Sequence, residues 1–511
     1  MNNFDVLIIG AGPTGLVLAL WLTHQGVNVR IIDKSHGPGE TSRAMAVQAR
    51  TLELYRQLNL ADEIIAAGYK MPAMNMWAEG QRKANIPLAD AGADISPYPF
   101  VLVLPQDQHE KILVARLLKA GIEVERQTEF LSFEENEDHI VATLRMPDGK
   151  IESSRAAFIA GCDGAHSPVR HQIGSDFSGG TYNHIFYVAD VEANGVSSAD
   201  EGHIAFDKSD FVLVMPYGLD QRYRLIGTVE SEDDDDRARS FDDVSKRAIR
   251  GLGLNISNVS WFSTYKVHHR VTNYFRRGRS FLLGDAAHVH SPAGGQGMNT
   301  GIADAINLAW KLTSVLKANA PEALLDSYEN ERKAFALKLV KTTDRVFTFV
   351  TAEGRLADFV RNHIAPSVAS RAYQFESVRN SLFRLISQTS MNYAESPLSE
   401  GRAGTVSSGD RLPFAPGNGM SNYDFMDKIG WQLHVYGLPE TGLVGWCELH
   451  GVEIHVYAWQ NAFALKGFKQ GAAYLIRPDG YVGLATAEHH VERLTKYMNK
   501  HGFSNGATCV P

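Results

Sequence analysis

The sequence has few cysteines, no excess of basic charge and no uninterrupted membrane-length apolar run. Its 511 residues contain three cysteines, Cys162, Cys447 and Cys509, far apart and without a Cys-x-x-Cys pair. This excludes a disulfide framework or a zinc ribbon and favours a reducing compartment. The net charge of −8 offers no field for nucleic acid or an anionic membrane. The uncharged residues 6–29 follow an aspartate and are broken by glycine and proline, so they are neither a signal peptide nor a membrane span. We therefore expect a cytoplasmic protein without nucleic-acid or membrane partners.

Two glycine-rich turns carry the strongest functional signal. The first follows an apolar run (VLII) that is typical of a parallel strand buried on both faces, and its hexapeptide GAGPTG opens a helix pattern. Gly10 makes the turn, Gly12 admits a pyrophosphate and Gly15 lets helix and strand pack closely. Asp33 closes the next strand, where it accepts from an adenosine ribose and repels a 2′-phosphate. The pattern predicts a dinucleotide site that does not hold NADP.

The second turn lies in residues 281–311. A short apolar strand ends at Gly284 and Asp285, at the sheet edge where open α/β folds bind ligands. The glycines that follow let backbone approach a flat ligand. A helix from about Asn299 directs free N–H groups and a positive dipole end to the same place. This arrangement suits a flavin's ribityl chain and its N1/C2-carbonyl edge. Taken alone, it also fits a tight strand–turn–helix in any α/β domain.

The middle and the end of the chain differ from the first part in composition and in predicted secondary structure. Residues 70–99 look irregular, whereas residues 181–229 are β-rich, which predicts an inserted antiparallel sheet of about four strands. The acidic run 230–236 lacks the glycine spacing of a calcium loop, so we interpret it as a solvated loop. Residues 396–419 are rich in glycine, proline and serine and are predicted to link to a separate α/β domain of about 100 residues.

Two polar residues, Arg50 and Asp107, can be explained by contacts within their own helices. Arg50 could reach a phosphate or the flavin edge, or it could pair with Glu53 at i, i+3 on a solvated helix face. The sequence leaves both interpretations open. Asp107 is predicted to be the N-cap of the helix that follows a short strand at 102–105.

Together these motifs resemble one family. GAGPTG, SRAMAVQARTLE, the junction at Gln106, GCDGAHSPVR and FLLGDAAHVHSPAGGQGMNTGIADAINLAWKL are spread over residues 5–332. They are similar to those of the single-component flavin monooxygenases, the FAD-dependent aromatic hydroxylases of the p-hydroxybenzoate hydroxylase and phenol hydroxylase type. The C-terminal part, through RPDGYVGLA, resembles the thioredoxin-like domain of the phenol hydroxylase branch. It lacks a Cys-x-x-Cys pair and the cis-proline position, which argues against dithiol chemistry there.

The resemblance implies an α/β fold class. Its parts are a Rossmann-type FAD-binding domain with an inserted antiparallel-sheet substrate domain, a helical segment, and a C-terminal thioredoxin-like domain without Cys-x-x-Cys. The implied boundaries are 1–180 and 270–345 for the discontinuous FAD-binding domain, 181–269 (with 70–100) for the substrate-covering sheet, 346–400 for the helical segment and 401–511 for the thioredoxin-like domain.

The resemblance also implies which residues bind the cofactor. It assigns the first glycine turn and Asp33 to the AMP half of FAD, and Asp163 to a motif shared by FAD and transient NAD(P)H contact. It places Arg43 and Gln106 near the pyrophosphate and ribityl chain. The complete predicted set is Gly10, Gly12, Pro13, Thr14, Gly15, Asp33, Lys34, Arg43, Gln106, Asp163, Gly284, Asp285, Pro292, Gly295, Gly297, Met298 and Asn299. No metal site is predicted, because the C-terminal histidines lack metal-ligand spacing.

The activity implied by the resemblance is hydroxylation of a phenolic or polycyclic aromatic substrate. FAD would be held tightly but not covalently, and NAD(P)H would be a transient co-substrate. In this family reduced flavin and O2 give a C4a-hydroperoxide, whose distal oxygen is transferred to an electron-rich ring. The alternatives are a Baeyer–Villiger or epoxidising tailoring enzyme on the same fold, or a flavin-binding protein without turnover. A flavin halogenase is disfavoured because no WxWxIP segment occurs. The oligomeric state is expected to be a monomer or homodimer.

The residues that would activate the aromatic ring are the least defined. A phenol becomes more reactive when a cation, a helix start or a proton relay stabilises its phenolate. The candidates are Tyr217, Arg222 and Arg224 in the covering sheet, with His290 a weaker one. Pro292, which borders the flavin in the family, completes the predicted catalytic set. The candidate pocket wall also includes Val212, Val214 and Met215, but which of these face inward depends on a one-residue register.

Overall fold

A computed structural model describes most of the chain. The described residues are 3–39, 44–89, 91–196, 198–207, 210–217, 221–229, 240–244, 246–291, 295–351, 354, 368, 371–417, 419–488 and 490–503, with the side chains of 183, 184, 210 and 344–351 left out. Four features singled out in the sequence lie outside this part of the chain: Arg43, Pro292, the acidic run 230–236 and Cys509.

The secondary structure follows the chain in this order. The helices are α1 (Pro13–His24), α2 (Ala49–Arg56), α3 (Ala61–Ala67), α4 (Gln106–Lys119), α5 (Pro168–Gln172), α6 (Arg247–Gly251), α7 (Gly297–Ala318), α8 (Asp326–Thr351), α9 (Glu376–Ile386), α10 (Leu443–His450), α11 (Asn461–Leu465) and α12 (Val491–His501). The strands are β1 (Asn3–Ile9), β2 (Val29–Ile32), β3 (Ala46–Val47), β4 (Tyr69–Met71), β5 (Ala73–Ala78), β6 (Gln81–Pro87), β7 (Val101–Val103), β8 (Glu129–Glu135), β9 (Ile140–Arg145), β10 (Ile151–Gly161), β11 (Phe177–Asn194), β12 (Gly202–Asp207), β13 (Asp210–Pro216), β14 (Arg222–Val229), β15 (Asn255–Thr272), β16 (Arg276–Arg277), β17 (Ser280–Leu282), β18 (His288–Val289), β19 (Arg402–Ala403), β20 (Val406–Ser407), β21 (Gln432–Tyr436), β22 (Glu453–Tyr457), β23 (Ala472–Ile476) and β24 (Val482–Thr486).

A mixed seven-stranded sheet carries both glycine-rich turns. At its centre β1 lies parallel to β2 and β10, and β10 lies parallel to β17. The antiparallel strands β8, β9 and β16 extend it. Val6, Leu7 and Ile8 are completely buried, which agrees with a strand covered by helices on both faces. Since parallel strands end at the same edge, the turns after β1, β10 and β17 meet there.

The second sheet is larger than the sequence suggested. It has eight strands in the order β18-β15-β11-β14-β13-β12-β5-β6, rather than about four. Residues 73–87, part of the stretch predicted to be irregular, form the hairpin β5–β6, and β5 lies parallel to β12 in this otherwise antiparallel sheet. The alternation of apolar and polar residues that indicates a strand is broken in β5, because one buried position is polar. Asn75 is buried there and donates to Glu201 Oε2 at 2.6 Å.

The C-terminal part forms a four-stranded sheet in the order β22-β21-β23-β24. Strands β21 and β22 are parallel, and β21–β23 and β23–β24 are antiparallel. The prediction that residues 396–419 form a linker is wrong. Strands β19 and β20 pair within this segment, and Leu412 and Ala415 are completely buried. Its glycines serve tight turns: Gly401 and Gly409 have φ of 84° and 87°, which favours glycine.

The turn between β23 and β24 inserts charged side chains between helices of the nucleotide-binding part. Arg477 donates to Glu331 Oε1 at 2.7 Å and Oε2 at 3.0 Å and also pairs with Asp479. Lys311 of α7 reaches the same Glu331 carboxylate at 2.8 Å. These side chains are at most 3% exposed. A buried ionic cluster therefore joins α7, α8 and the C-terminal sheet.

Arg50 belongs to a second buried cluster at the same interface. It pairs with Glu53 at 2.9 Å, as one of its two interpretations proposed, but the helix face is buried and not solvated. Glu53 also accepts from Arg411 Nε at 2.9 Å and from Ser96 Oγ at 2.6 Å. Burial would raise the pKa of Glu53, but Arg411 and Arg50 lower it below its ordinary value.

Glu331→Gln tests the contribution of the larger cluster to stability. Burial alone would raise the pKa of Glu331, but Arg477 and Lys311 lower it well below its ordinary value of 4.5. The unfolded state therefore binds a proton at a higher pH than the folded state, and the free energy of unfolding falls as the pH is lowered below 4.5. At pH 7 we expect Glu331→Gln to cost about 3–5 kcal/mol, because Lys311 loses its buried carboxylate partner and Arg477 keeps only Asp479.

The measurement is urea unfolding between pH 7 and pH 4 for the parent and the variant. The variant should lose less stability on acidification, because the substituted amide does not titrate. Glu448→Gln, at an exposed position of α10, is the matched control and should behave like the parent. Equal stability of parent and Glu331→Gln at pH 7 would contradict the proposed contribution of the cluster.

Candidate nucleotide and substrate site

The first glycine turn has the geometry expected of a pyrophosphate cradle. Gly10 has φ of 101°, and a Cβ there would overlap the carbonyl oxygen of Cys162. A Cβ on Gly15 would overlap the carbonyl oxygen of Gly10. By contrast, no atom of the described residues lies within 4 Å of a Cβ built on Gly12. Gly10 and Gly15 are therefore required by the fold, whereas Gly12 leaves space open in front of the turn.

Helix α1 begins at this open space without a side-chain cap. Gly12 is the N-cap, Pro13 is the first helical residue, and no side chain accepts from the first turn. The unpaired N–H groups and the positive end of the helix dipole suit an anionic group. Thr14 packs against the second motif: a Cβ on Gly284 would lie 2.8 Å from Thr14 Oγ1. The structure therefore brings the two glycine-rich turns into contact.

Asp33 closes one end of the cradle, as predicted from its position after β2. Its Oδ2 accepts from the N–H of Ala11 at 2.7 Å, and its Oδ1 accepts from Ser35 N at 2.7 Å and Oγ at 2.6 Å. Arg126 Nη1 lies 3.8 Å from Asp33 Oδ2, whereas Lys34 is exposed beside it. The sequence analysis missed Arg126. No sequence motif marks it: the neighbouring Glu125 pairs with Ile32 at the end of β2 only in the folded structure.

Gln106 lies at the first position of α4 and contacts a second residue that the sequence analysis missed. Its Nε2 donates to Glu110 Oε1 at 2.7 Å, and Glu110 Oε2 accepts from the N–H of Gly39 at 3.1 Å. Burial raises the pKa of Glu110. The prediction that Asp107 caps this helix is wrong, because Pro105 is the N-cap and no side chain caps the first turn. The proline already lacks the N–H that would compete for the turn, so the chain enters α4 without a capping side chain.

Asp163 ends β10 at the same sheet edge. Its Oδ2 accepts from the N–H of Val169 at 3.1 Å, and its Oδ1 is buried without a hydrogen-bond partner among the described residues. Burial raises the pKa of this carboxyl group. Arg170 ties the turn to the second motif by donating to the carbonyl oxygens of Ala165 at 2.7 Å and Ala286 at 2.9 Å.

Asp285 is exposed at the edge, next to a network that holds its turn. Gly284 has φ of 57°, and its N–H donates to Asp304 Oδ2 at 3.0 Å. Asp304 is completely buried and also binds His288 Nε2 at 2.7 Å and Arg332 Nε at 2.5 Å. Burial would raise the pKa of Asp304, but Arg332 and His288 lower it. A charged carboxylate beneath the turn therefore fixes the position of Asp285.

Helix α7 begins two residues earlier than predicted, at Gly297, with Gln296 as its N-cap. Gly297 and Met298 begin the first turn of the helix, whose backbone N–H groups are not capped by any described side chain. Asn299 is completely buried, and its side chain is used within the protein: Oδ1 accepts from Gln48 N at 3.0 Å and Thr51 Oγ1 at 2.8 Å, while Nδ2 donates to the carbonyl oxygen of Ala46 at 2.8 Å. Gly295 has φ of 61°, and a Cβ added there would lie 3.0 Å from the Cβ of Ala46. Asn299 can therefore offer a ligand only its backbone.

The register of the eight-stranded sheet separates the candidate pocket residues. Val212 and Val214 pack on the far face with Ile249 of α6. The opposite face presents Arg224 directly across from Met215 on one side and Asp190 on the other. Of the candidate wall residues, Val212 and Val214 are therefore wrong, because their strand parity turns them toward the α6 core.

Arg224 and Tyr217 lie close together on this inner face. Arg224 makes a bidentate ion pair with Asp190, both bonds 2.7 Å, and its Nη1 has no hydrogen-bond partner among the described residues. Its guanidinium lies 5.8 Å from the ring centroids of both Tyr217 and Trp261. Burial raises the pKa of Tyr217 to about 12. Arg222 lies 5.7 Å from the Tyr217 ring and is exposed.

An apolar cluster links this face to the second glycine-rich turn. Tyr217 and Met215 pack with buried Met45, and the next residue, Ala46, is held by Asn299 at the start of α7. The other members are Met71, Leu88 and Val103, with Tyr69, Met74, Ile86 and Val101 partly buried. In the described residues no group of three or more His, Cys, Asp or Glu side chains could hold a metal ion, and no helix there is long and apolar enough to cross a membrane.

The fold and the convergent turns define a dinucleotide-binding α/β protein with a second, substrate-side sheet. The sequence profile described as "FAD binding domain" matches residues 3–343, so the chain belongs to this family. It is 36% identical, over 78% of its length and 71% of the relative's, to the 6-methylpretetramide 4-monooxygenase of Streptomyces rimosus. It is 30% identical, over 80% and 75%, to the pentachlorophenol 4-monooxygenase of Sphingobium chlorophenolicum. The crystal structure of the flavin-dependent monooxygenase PieE with FAD and substrate superposes with a TM-score of 0.81 over 98% of this chain and 99% of that chain; at 22% identity it shows the fold.

These relatives confirm the predicted class. The protein is an FAD-dependent monooxygenase of aromatic compounds, an oxidoreductase with NAD(P)H as the reductant typical of the family. The residues at the edge of the sheet fit the cofactor, because the open space at Gly12 and the uncapped start of α1 suit a pyrophosphate.

Gly12→Ala is expected to abolish tight FAD binding without unfolding the protein. Its Cβ would occupy space that no protein atom uses, and that space is where a pyrophosphate approaches the backbone. The measurements are FAD affinity by fluorescence and thermal unfolding of the cofactor-free protein. Gly37→Ala, also without an atom within 4 Å of its Cβ, is the control. Unchanged FAD affinity in Gly12→Ala would remove this turn from the site.

Proposed function

We propose that this enzyme hydroxylates a phenolic or polycyclic aromatic compound at the junction of the two sheets. The observation that carries the proposal is the position of residues 45 and 46. Met45 belongs to the buried cluster against which Tyr217 and Met215 pack, while Ala46 is held by Asn299 at the start of α7. One two-residue segment therefore separates the inner face of the covering sheet from the second glycine-rich turn.

The predicted cofactor residues would hold FAD across the edge of the seven-stranded sheet. The turn at Gly10–Gly15, with Pro13 and Thr14, would receive the pyrophosphate, and Asp33 with Arg126 would lie at the AMP end. Gln106, Asp163 and Asp285 would line the middle, and the backbone from Gly295 to Asn299 would border the ring. Bound FAD supplies the redox chemistry, taking electrons from NAD(P)H and activating O2, while the protein orients both reactants and excludes water.

The substrate wall combines apolar surface with one balanced charge pair. The methionines Met45, Met71 and Met215 offer adaptable apolar contacts, which suit a flat ring. Asp190 neutralises most of the charge of Arg224, so the wall does not favour a strongly anionic substrate. The two relatives are named for activity on 6-methylpretetramide and on pentachlorophenol, which supports a phenolic ring.

Tyr217 would act on the substrate hydroxyl as a neutral hydrogen-bonding group. Because burial raises its pKa to about 12, its phenol is protonated at neutral pH. It can therefore donate to a developing phenolate or pass a proton along a relay, but it is not itself a base. Arg224 lies 5.8 Å from the centroid of the Tyr217 ring, and Asp190 balances its charge.

The remaining parts of the chain have supporting roles in this proposal. The domain division is 1–180 with 270–345, 181–269 with 70–100, 346–400 and 401–511. The strand order β22-β21-β23-β24, with only β21 and β22 parallel, supports a thioredoxin-like C-terminal domain. Cys447 is a buried free thiol there, which supports packing and not dithiol exchange. We place the enzyme in the cytoplasm as a monomer or homodimer.

The test is a panel of phenols and polycyclic aromatics screened for stimulated NAD(P)H oxidation by the purified, FAD-loaded protein. A substrate should accelerate NAD(P)H consumption and give a product 16 mass units heavier whose new hydroxyl is located by NMR. A ring-expanded or epoxidised product would show that the enzyme has the alternative Baeyer–Villiger or epoxidising activity and not hydroxylation. Bound FAD with no compound that stimulates oxidation would support a flavin-binding protein without turnover.

Tyr217→Phe is expected to slow hydroxylation and to raise the pH at which it is half-maximal. Removing one hydrogen bond to a charged oxygen costs about 1.5–3 kcal/mol, or roughly 10- to 150-fold in rate. Flavin reduction by NAD(P)H should remain near the parent rate, because Tyr217 acts on the substrate. Stopped-flow measurement separates the two half-reactions. Tyr274→Phe, at a half-exposed tyrosine outside the site, is the control; an unchanged pH profile in Tyr217→Phe removes Tyr217 from the mechanism.

A further inference from the structure

Gln388 has an unusual backbone conformation for a buried residue. Its φ is 58°, in the left-handed region, and its side chain is only 4% exposed. Glycine adopts this conformation without strain, whereas other residues rarely do. Such strain persists only where the surroundings determine the conformation. The glutamine is therefore present for its side chain and not for the turn itself.

The side chain of Gln388 binds the start of α7. Its Nε2 donates to Gln296 Oε1 at 2.7 Å and to Thr300 Oγ1 at 2.9 Å. Gln296 is the N-cap of α7, and its own Nε2 returns a bond to the carbonyl oxygen of Leu385 at 3.2 Å. Thr300 Oγ1 donates to the carbonyl oxygen of Gln296 at 2.9 Å. A closed set of hydrogen bonds thus joins residues 385–388 to the first turn of α7.

The same segment also supports the start of α2. The carbonyl oxygen of Ser387 accepts from the N–H of Arg50 at 3.3 Å. One helix turn earlier, Phe383 fills a buried gap between Ala49 and Ile95. The segment 383–388 is therefore wedged against two helix starts, and it cannot move without moving both.

We propose that Gln388 is a positioning residue that fixes the first turn of α7 relative to the flavin. This inference rests on the proposed function, which places the flavin ring beside Gly295–Asn299. The positive end of a helix dipole stabilises negative charge on a neighbouring group, and the effect falls off within the first turn. A displacement of α7 therefore changes both the affinity for FAD and the ease with which bound FAD accepts electrons.

The experiment compares three substitutions at Gln388 with matched substitutions at Gln221. Gln221 also has a positive φ, 56°, but its side chain is exposed. Gln388→Gly removes the hydrogen bonds and the backbone strain together. Gln388→Asn keeps a shorter amide, and Gln388→Glu replaces the donating amide with a negative charge. Gln221→Gly and Gln221→Glu reproduce the backbone and charge changes without the contacts.

The readouts are the dissociation constant of FAD, the midpoint potential of bound FAD and the melting temperature of the cofactor-free protein. We expect Gln388→Gly to weaken FAD binding about tenfold, the usual effect of losing a buried hydrogen bond. Its melting temperature should fall only modestly, because relief of the left-handed strain offsets part of the loss of two buried hydrogen bonds. Gln388→Glu should lower the midpoint potential, and Gln388→Asn should lie between it and the parent. The Gln221 variants should match the parent in FAD affinity and midpoint potential, and Gln221→Gly should not lower the melting temperature, because glycine relieves the strain there as well.

Thr300→Val provides an independent check of the coupling. If Gln388 acts through the start of α7, the double variant Thr300→Val/Gln388→Gly weakens FAD binding by less than the product of the single effects.

Parent-like affinity and potential in Gln388→Gly and Gln388→Glu, with FAD bound, would overturn the inference while leaving the proposed function intact. If Gln388→Gly fails to fold, the same two readouts on Gln388→Asn and Gln388→Glu decide. A parent protein that binds no FAD would instead overturn the proposed function itself.

Discussion

The ion pair between Asp304 and Arg332 is the interaction on which the site depends. Both side chains are completely buried. Asp304 holds the N–H of Gly284 and the ring of His288, while Arg332 reaches the carbonyl oxygen of Thr300 and the hydroxyl of Tyr393. One charge pair therefore joins the turn after β17, two long helices and the segment after α9. Because a buried charge without its partner is strongly unfavourable, these elements are fixed together although no ligand needs to touch the pair.

The parts of the fold that the sequence predicted are those set by local geometry. The turn at Gly10–Gly15, Asp33 after β2, and the turn at Gly284 and Asp285 each occupy a strand end where backbone conformation dictates the residue type. Arg126, Glu110 and Gln388 were not predictable in this way. Their roles arise only when distant segments meet: Arg126 approaches Asp33 across 93 positions of sequence, and nothing in its immediate neighbours indicates that contact.

Two errors show where sequence patterns are ambiguous. Arg50 and Glu53 have the same i, i+3 spacing whether their helix face is solvated or covered, so the pattern could not reveal Arg411 on the other side. Residues 396–419 have the composition of a linker, yet their glycines and serines make tight turns within a packed hairpin. The composition of a segment indicates which backbone conformations it can adopt. Whether the segment is buried depends on which other parts of the chain pack against it. The parity of β13 was similarly undecidable until β14 and α6 fixed it.

The position of the C-terminal arginines also sets an order of events during synthesis. Residues 3–343 carry the family profile, but Glu331 obtains its guanidinium partner from Arg477 and Glu53 obtains one from Arg411. Ribosomes add about 5–20 residues per second, so the nascent chain waits roughly 10–30 s between making Glu331 and making its partner. During that interval Glu331 has Lys311 and Glu53 has Arg50 as a charged partner, but neither carboxylate has the complete set of partners found in the folded protein. The two buried clusters therefore gain these arginine partners only after residues 3–343 have been synthesised.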